Sequence, residues 1–207
     1  MNPTKAPRSL DEVIWTRNLS RRKARSADRA REALITMELM HDLVRAPEEF
    51  FPKLVRAILD LTGSESAGIS LLDAKRGRFV WPAVEGGLEA YVGSGTPSSF
   101  GPCGTVLEHD APVLFVHPQD HFTYLQPITP PLEEVLLAPF RADGRPVGTL
   151  WAVMHKPGRQ FDGEDRRLLE NLAEFAASSY RALVNAGQLE TLLESLPGPP
   201  AELLERH

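Results

Sequence analysis

The one cysteine of this 207-residue chain, Cys103, lies in the run Gly101-Pro102-Cys103-Gly104. A thiol at this position could act as a nucleophile, a redox group or an attachment point for a prosthetic group. The alternative is a small buried side chain at a tight turn, with no reaction of its own. We favour the structural interpretation. A single cysteine forms no intrachain disulfide, which indicates a reducing compartment.

Two histidines and an aspartate follow in the segment His117-Pro118-Gln119-Asp120-His121. Two imidazoles and a carboxylate are a ligand set that zinc accepts. However, Pro118 and the loop around it provide no rigid helix that would hold the two histidines together. Three interpretations stay open: a metal site, a histidine that lines a pocket, and histidines that are solvated or paired within the core.

Aromatic side chains are the other candidates for a binding pocket: Trp81, Phe100, Phe115, Phe122, Tyr124 and Trp151. Aromatic residues more often belong to a core, but those in the long connection before the last hairpin are favoured because loops carry function. The predicted ligand-binding residues are Phe100, Cys103, Phe115, His117, Phe122, Tyr124 and Trp151. Of these, Tyr124 and His117 are the expected polar anchors. No phosphate loop, serine–histidine–aspartate order, catalytic carboxylate pair or zinc spacing occurs, so no catalytic or metal-binding residue is predicted.

Composition and charge restrict the classes of partner. The net charge is −5 and the isoelectric point is about 5.7, which argues against nucleic acid or an anionic membrane as the main partner. Residues 1–10 lack the apolar stretch of a secretory signal, and no apolar run approaches the roughly 18 residues that a membrane helix needs. The chain is expected to be cytoplasmic, with no nucleic-acid and no membrane partner.

Helical periodicity begins after a polar, basic extension at residues 1–29. The basic residues between positions 21 and 31 offer either an electrostatic contact for an acidic partner or a solvated helix face. The next helix is apolar along two adjacent stripes, Leu34/Met37/His41/Val44 and Ile35/Leu39/Leu43. So wide an apolar arc implies burial on two sides, as in a bundle or a dimer. Pro47 is its predicted end, and a second helix is predicted to end at Gly63.

The period then changes to that of strands. Strands are predicted around residues 67–71, 78–84, 112–116, 133–140 and 145–155, and Asp143-Gly144 joins the last two as a hairpin. Asp162 caps a long helix, Gly187 separates it from a short amphipathic segment, and residues 197–200 form a linker. This order predicts an α+β fold. A central antiparallel sheet has the N-terminal and C-terminal helices on one face and a long loop crossing over the other.

Three segments carry a family resemblance: residues 51–73 (FPKL to GISLLD), residues 136–151 (LLAPF, then GRPVGTLW) and residues 161–182, which open with FDGED. They resemble the opening, the last hairpin and the closing helix of a GAF domain, a PAS-related fold. The runs GPCG at 101–104 and FVHP at 115–118 are similar to a subset of bacterial GAF domains attached to sensor histidine kinases.

The resemblance implies a small-molecule pocket between the loop-covered face of the sheet and the long crossing, and parallel dimers that pair through the terminal helices. GAF domains bind cyclic nucleotides, tetrapyrroles, haem, amino acids and other small effectors, so the resemblance names no cofactor. Relatives that carry a bilin have a histidine directly after the attaching cysteine, where this chain has Gly104. Relatives that reduce methionine sulfoxide use several cysteines, whereas this chain has one.

The predicted organisation is an extension at residues 1–29, a sensory domain with flanking helices at 30–185 (core 48–183), and an amphipathic segment with a proline-rich tail at 186–207. The predicted function is a non-catalytic signal-transduction module of a two-component system. It binds a small-molecule effector and signals through a helical homodimer interface, with a separate kinase or other signalling protein as the candidate output partner. Two alternatives stay open: an interaction scaffold whose pocket is filled by its own side chains, and a small enzyme that uses Cys103 with His117 or His121.

Overall fold

A five-stranded antiparallel sheet forms the centre of the computed structural model, which describes residues 7–46 and 49–196. The strands are β1 (Ser66–Asp73), β2 (Arg78–Gly86), β3 (Val113–Val116), β4 (Glu134–Ala142) and β5 (Arg145–Met154). Their order across the sheet is β2-β1-β5-β4-β3. The predicted α+β architecture is confirmed.

Seven helices surround the sheet among the described residues. They are α1 (Leu10–Val13), α2 (Thr16–Leu19), α3 (Arg29–Arg45), α4 (Phe50–Thr62), α5 (Pro102–His109), α6 (Gly163–Asn185) and α7 (Leu189–Ser195). Helices α4 and α6 lie on one face of the sheet, and α3 packs on both of them. Helix α5 and three short 3₁₀ turns, Glu89–Tyr91, Pro118–Asp120 and Thr123–Leu125, belong to the crossing over the other face. The crossing therefore contains a helix that the sequence did not predict.

The predicted helix ends follow from local chemistry. Gly63 has φ 61°, a left-handed conformation that favours glycine and ends α4. Asp162 accepts hydrogen bonds from the backbone N–H groups of Glu164 and Asp165, and Asp165 accepts one from the backbone of Asp162. This reciprocal capping starts α6. Pro47 and the linker at residues 197–200 lie outside the described residues.

Alternating side chains of the sheet divide the interior into two cores. In β1, Ala67, Ile69 and Leu71 face the helices and belong to the first core. The residues between them face the crossing, where Trp151 and other sheet residues form a second core. The alternation of side chains along the strands thus separates the residues that face the helices from those that face the crossing.

The basic N-terminal segment is packed onto the domain. The backbone N–H of Trp15 donates to the carbonyl oxygen of Leu114 in β3 at 2.7 Å. The guanidinium of Arg22 binds the buried carboxylate of Glu134 through two hydrogen bonds of 2.9 and 2.7 Å. Arg25 donates through Nε and Nη2 to one carboxylate oxygen of Asp165, each at 3.1 Å, so these two cations bind carboxylates of their own chain.

The two stripes of α3 have different surroundings. Leu39 is buried against α4 and α6, with Ile35 and Leu43 packed beside it. Met37 and Val44, by contrast, are 68% and 84% exposed. The apolar stripe of α6 is covered within the chain, because Leu172 and Leu183 are buried in the first core. Of the two terminal helices that the family resemblance implies as a dimer interface, α6 thus has Leu172 and Leu183 covered by its own chain.

Candidate functional site

A cavity of about 50 Å³ lies in the second core, between the sheet and the crossing. The sheet supplies two tryptophans and several aliphatic side chains, and α5 and the loops supply the rest. The lining residues are Trp81, Leu88, Thr96, Pro102, Cys103, Leu125, Ile128, Leu132, Val135, Leu137, Trp151 and Val153. None of these residues carries a charged side chain.

A short chain of hydroxyl, thiol and indole groups borders the cavity. The thiol of Cys103 lies 3.4 Å from the hydroxyl oxygens of both Ser70 and Thr149. The indole N–H of Trp151 donates to the Ser70 hydroxyl oxygen at 3.0 Å. Desolvation by burial raises the pKa of the Cys103 thiol, which keeps it protonated at neutral pH. The hydrogen-bonding partners of the buried thiol are thus neutral hydroxyl groups.

Gly68 makes room for the indole of Trp151. The two residues are direct partners in the β1–β5 pair, and a Cβ at Gly68 would lie 2.1 Å from Cζ2 of Trp151. Ser70 is the next residue of β1 whose side chain faces the crossing. It lies where the register with β2 shifts, between Ile69 and Leu71. Gly68 therefore leaves space for the indole, and Ser70 accepts its hydrogen bond.

Tyr124 approaches the cavity from the crossing. Its hydroxyl lies beside that of Thr96, and burial raises its pKa, so the phenol remains neutral. A Cβ at Gly101 would lie 2.4 Å from the Tyr124 hydroxyl oxygen. The glycine at the start of α5 is thus needed for the tyrosine to reach this position.

Trp81 is the second indole of the cavity. Its ring packs edge-on against Trp151, with ring centroids 5.5 Å apart and planes at 61°. Trp81 is 6% exposed, and its buried indole nitrogen has no hydrogen-bond partner among the described residues. The two tryptophans therefore differ: one indole N–H is satisfied by Ser70, and the other is not.

The structure distributes the predicted ligand-binding residues over three environments. Cys103 and Trp151 line the cavity. Phe115 and Phe122 are fully buried in the same core but outside the cavity lining, and Tyr124 packs against Phe122. Phe100 and His117 lie at the surface: Phe100 is 46% exposed, and His117 Nε2 is 3.6 Å from Glu133 Oε1.

Several lining residues were missed by sequence reasoning. Leu125, Ile128 and Leu132 come from the end of the crossing, where isolated aliphatic residues among prolines gave no periodic signal. Trp81 was one of the candidate aromatic residues but was not among the predicted ligand-binding residues. Trp81 lies in β2 and Trp151 in β5, and both strands pair with β1, which brings the two side chains together at the cavity.

The histidine segment does not assemble a metal site. His121 Nδ1 is 2.8 Å from the backbone oxygen of Arg8, while His117 pairs with Glu133 and Asp120 with the Arg8 side chain. Within residues 7–46 and 49–196, no group of three or more histidine, cysteine, aspartate or glutamate side chains is arranged to hold a metal ion.

The chain is similar to known proteins in both sequence and structure. The family model of the GAF domain matches residues 44–179. The GAF domain of a phosphoenolpyruvate-protein phosphotransferase from Coxiella burnetii superposes with a TM-score of 0.67 at 18% identity, covering 79% of this chain and 100% of that one. No curated protein matches the chain.

Two further structures have the same fold. Free methionine-R-sulfoxide reductase from Neisseria meningitidis, solved with its substrate, gives a TM-score of 0.63 at 19% identity over 80% of this chain and 97% of that one. The GAF-B domain of DevS from Mycobacterium smegmatis gives 0.55 at 23% identity over 69% and 98%. In the part of the chain that the structure describes, no helix is both long and apolar enough to span a bilayer.

Proposed function

The chain belongs to the GAF domain family, and on that basis we propose that it is a non-catalytic sensory module that binds a small effector in the cavity beneath the crossing. The observation that carries this proposal is the cavity itself, which is bounded by both tryptophans of the sheet and by aliphatic residues of the crossing. Small-molecule sites are typically concave and apolar, with a few polar groups that orient the ligand.

The site chemistry supports a binding role over a catalytic one. Cys103 is 4% exposed, its pKa is raised, and its polar contacts are hydroxyl groups. A reactive cysteine needs an environment that stabilises the thiolate; Cys103 lies in the first turn of α5, but burial outweighs any such stabilisation and raises the pKa of its thiol. The similar Neisseria protein acts on free methionine sulfoxide, a zwitterion. An uncharged lining would desolvate both charges of a zwitterion without pairing them.

We propose that the domain passes its signal on through a homodimer formed by α3. Its exposed residues Ala33, Met37, Met40 and Val44 follow one another at intervals of four, three and four. This spacing is that of a two-helix seam, in which apolar residues repeat every 3.5 positions on average. We propose that a second copy of the chain covers this stripe, because two identical apolar stripes can pack against each other across a two-fold axis.

Binding can be tested with a library of small compounds and two matched variants. Effectors should raise the melting temperature of the wild-type protein. Ile128→Phe adds bulk to the cavity lining and should abolish that increase, whereas Ile35→Phe, the same change on the helix side of the sheet, should retain it. If no compound stabilises the wild type, or if Ile128→Phe responds as the wild type does, the cavity is not the binding site.

The dimer can be tested separately by sedimentation or light scattering. Met37→Glu and Val44→Glu place a charge in the proposed seam and should give monomers at concentrations where the wild type is dimeric. Arg31→Glu changes the charge of the same helix outside the seam and should leave the dimer intact. A wild-type protein that is monomeric at tens of micromolar would refute this interface while leaving the cavity proposal standing.

A further inference from the structure

The wall of the cavity points to the chemical class of its ligand. On the premise that the cavity is the effector site, we infer that the effector is a small, wholly apolar molecule, of the class of a dissolved gas or a short hydrocarbon, held without any hydrogen bond. The inference rests on the apolar wall, on the burial of the residues that line it, and on the volume that they enclose.

The cavity presents only apolar surface to a ligand. The polar side-chain atoms of its lining are paired within the protein or turned away from the cavity. The thiol of Cys103 contacts two hydroxyl groups, and the indole N–H of Trp151 donates to Ser70. The indole nitrogen of Trp81 and the hydroxyl oxygen of Thr96 are themselves inaccessible. A ligand in the cavity therefore finds no hydrogen-bonding group on the wall.

Such a wall selects against polar ligands and against water. A hydroxyl or carbonyl group that leaves water without gaining a new partner costs free energy, and an unpaired ion costs far more. A buried water molecule needs about two to four polar partners, and apolar cavities of about 150 Å³ stay dry and bind xenon or benzene. An apolar molecule, by contrast, gains contact with the wall and loses no hydrogen bond on leaving water.

The volume and the enclosure of the cavity limit the ligand to a few atoms. About 50 Å³ is roughly three to five times the 10–15 Å³ that one water molecule occupies on such a measure. All the lining residues are buried, so a ligand enters when the crossing opens locally, and small molecules need the smallest opening. Nucleotides and tetrapyrroles exceed this size, and free amino acids carry charges that the wall cannot pair.

Two probes of equal size test the inference: ethane, which is wholly apolar, and methanol, in which a hydroxyl group replaces one methyl group. Ethane under pressure should shift the methyl resonances of Leu137 and Val153, which line the cavity, in a saturable manner. Leu136 and Ala152 are their neighbours on the same strands, belong to the first core, and should shift much less. Methanol should bind at least about tenfold more weakly, because its buried hydroxyl group lacks a partner.

Matched variants and a water measurement locate the bound ethane and test whether the cavity is dry. Ile128→Phe fills part of the cavity and should reduce the affinity for ethane at least about tenfold, because too little space remains. Ile35→Phe makes the same change where Ile35 packs against the first core, and should leave the affinity within about twofold. In the wild type, water should give no nuclear Overhauser effect to the methyl groups of Leu137 and Val153.

The outcomes distinguish this inference from the proposed function. If methanol binds as tightly as ethane, or if water gives a nuclear Overhauser effect to the lining methyl groups, the cavity accepts polar molecules. The inference is then wrong, while the proposed function stands. If Ile128→Phe binds ethane as the wild type does, ethane occupies another place, and the inference is again wrong. If neither probe shifts the methyl groups of Leu137 and Val153, the cavity is closed to ligands, and the proposed function fails as well.

Discussion

Replacing Gly68 with alanine should displace the indole of Trp151, which forms part of the cavity wall. The added Cβ would lie 2.1, 2.4 and 2.6 Å from Cζ2, Cη2 and Cε2 of the Trp151 indole. Carbon atoms in contact are normally about 3.5–4.0 Å apart, so the indole must move by roughly 1.5 Å. Such a movement also breaks the bond from the indole N–H to Ser70.

The magnitude follows from these two effects. Forcing an extra methyl group into a packed core costs about 1–3 kcal/mol, and losing one hydrogen bond adds about 1 kcal/mol. Gly68→Ala should therefore destabilise the protein by about 2–4 kcal/mol, and at this chain length each kcal/mol lowers the melting temperature by roughly 2–4 °C. Binding of any effector to the cavity should weaken as well, because Trp151 lines it.

A double-mutant cycle tests the physical reason rather than the size of the effect alone. Phenylalanine at position 151 extends less far from the backbone than tryptophan, so Gly68→Ala should cost less in the Trp151→Phe background. The coupling energy from urea unfolding should be at least about 1 kcal/mol. Gly163→Ala is the control, because its new Cβ would be 3.7 Å from the nearest atom and helix propensity favours alanine by up to about 1 kcal/mol.

Two results would refute this reasoning. If Gly68→Ala costs the same with tryptophan and with phenylalanine at position 151, the clash with the indole is not the cause. If Gly68→Ala is neutral, the indole has an alternative position of equal energy, and the cavity wall is not fixed by β1.

Three further effects should follow from buried polar groups. Arg22→Ala leaves the carboxylate of Glu134, 3% exposed, without its cation and should cost about 3–5 kcal/mol in urea unfolding, whereas exposed Lys23→Ala should stay within about 0.5 kcal/mol. A guanidinium of α6 lowers the pKa of Glu32 from 4.5 to about 2, so its stabilisation is complete above pH 4.5 and is lost as the pH falls toward 2; Glu32→Gln should flatten that part of the stability–pH profile. Cys103→Ser should cost about 1 kcal/mol and leave effector binding within a few fold, whereas loss of a turnover activity would identify a catalytic thiol.

The sequence predicted the sheet well because its signals are local. Asp143 in the left-handed region at φ 52° and Gly144 at φ 73° form the predicted hairpin turn, and Asp162 caps α6 as expected. Helix α5 was missed because Gly101-Pro102-Cys103-Gly104 reads as a turn. In the structure Pro102 occupies the first turn of the helix, where its missing N–H costs nothing.

The cavity was harder to predict because its residues meet through strand pairing and loop closure. Nothing in the sequence around Trp81 distinguishes a residue that lines a cavity from one that fills a core. The basic extension shows the same limit: Arg22 and Arg25 are 112 and 140 residues away from Glu134 and Asp165, their partners. Contacts of this range depend on the whole fold, and no periodic pattern encodes them.

The alternation of β5 connects the cavity with the helices that would report on it. Trp151 and Val153 face the cavity, while Leu150 and Ala152, on the same strand, pack in the core beneath α4 and α6. A ligand that moves the Trp151 indole therefore acts on a strand whose other side supports the helices. Helix α3 packs on α4 and α6, so under the proposed function a shift of β5 would move the apolar stripe of α3 that we propose as the dimer interface. Under that proposal no hinge is needed between the cavity and the dimer interface, because alternate residues of one strand face the cavity and the helices.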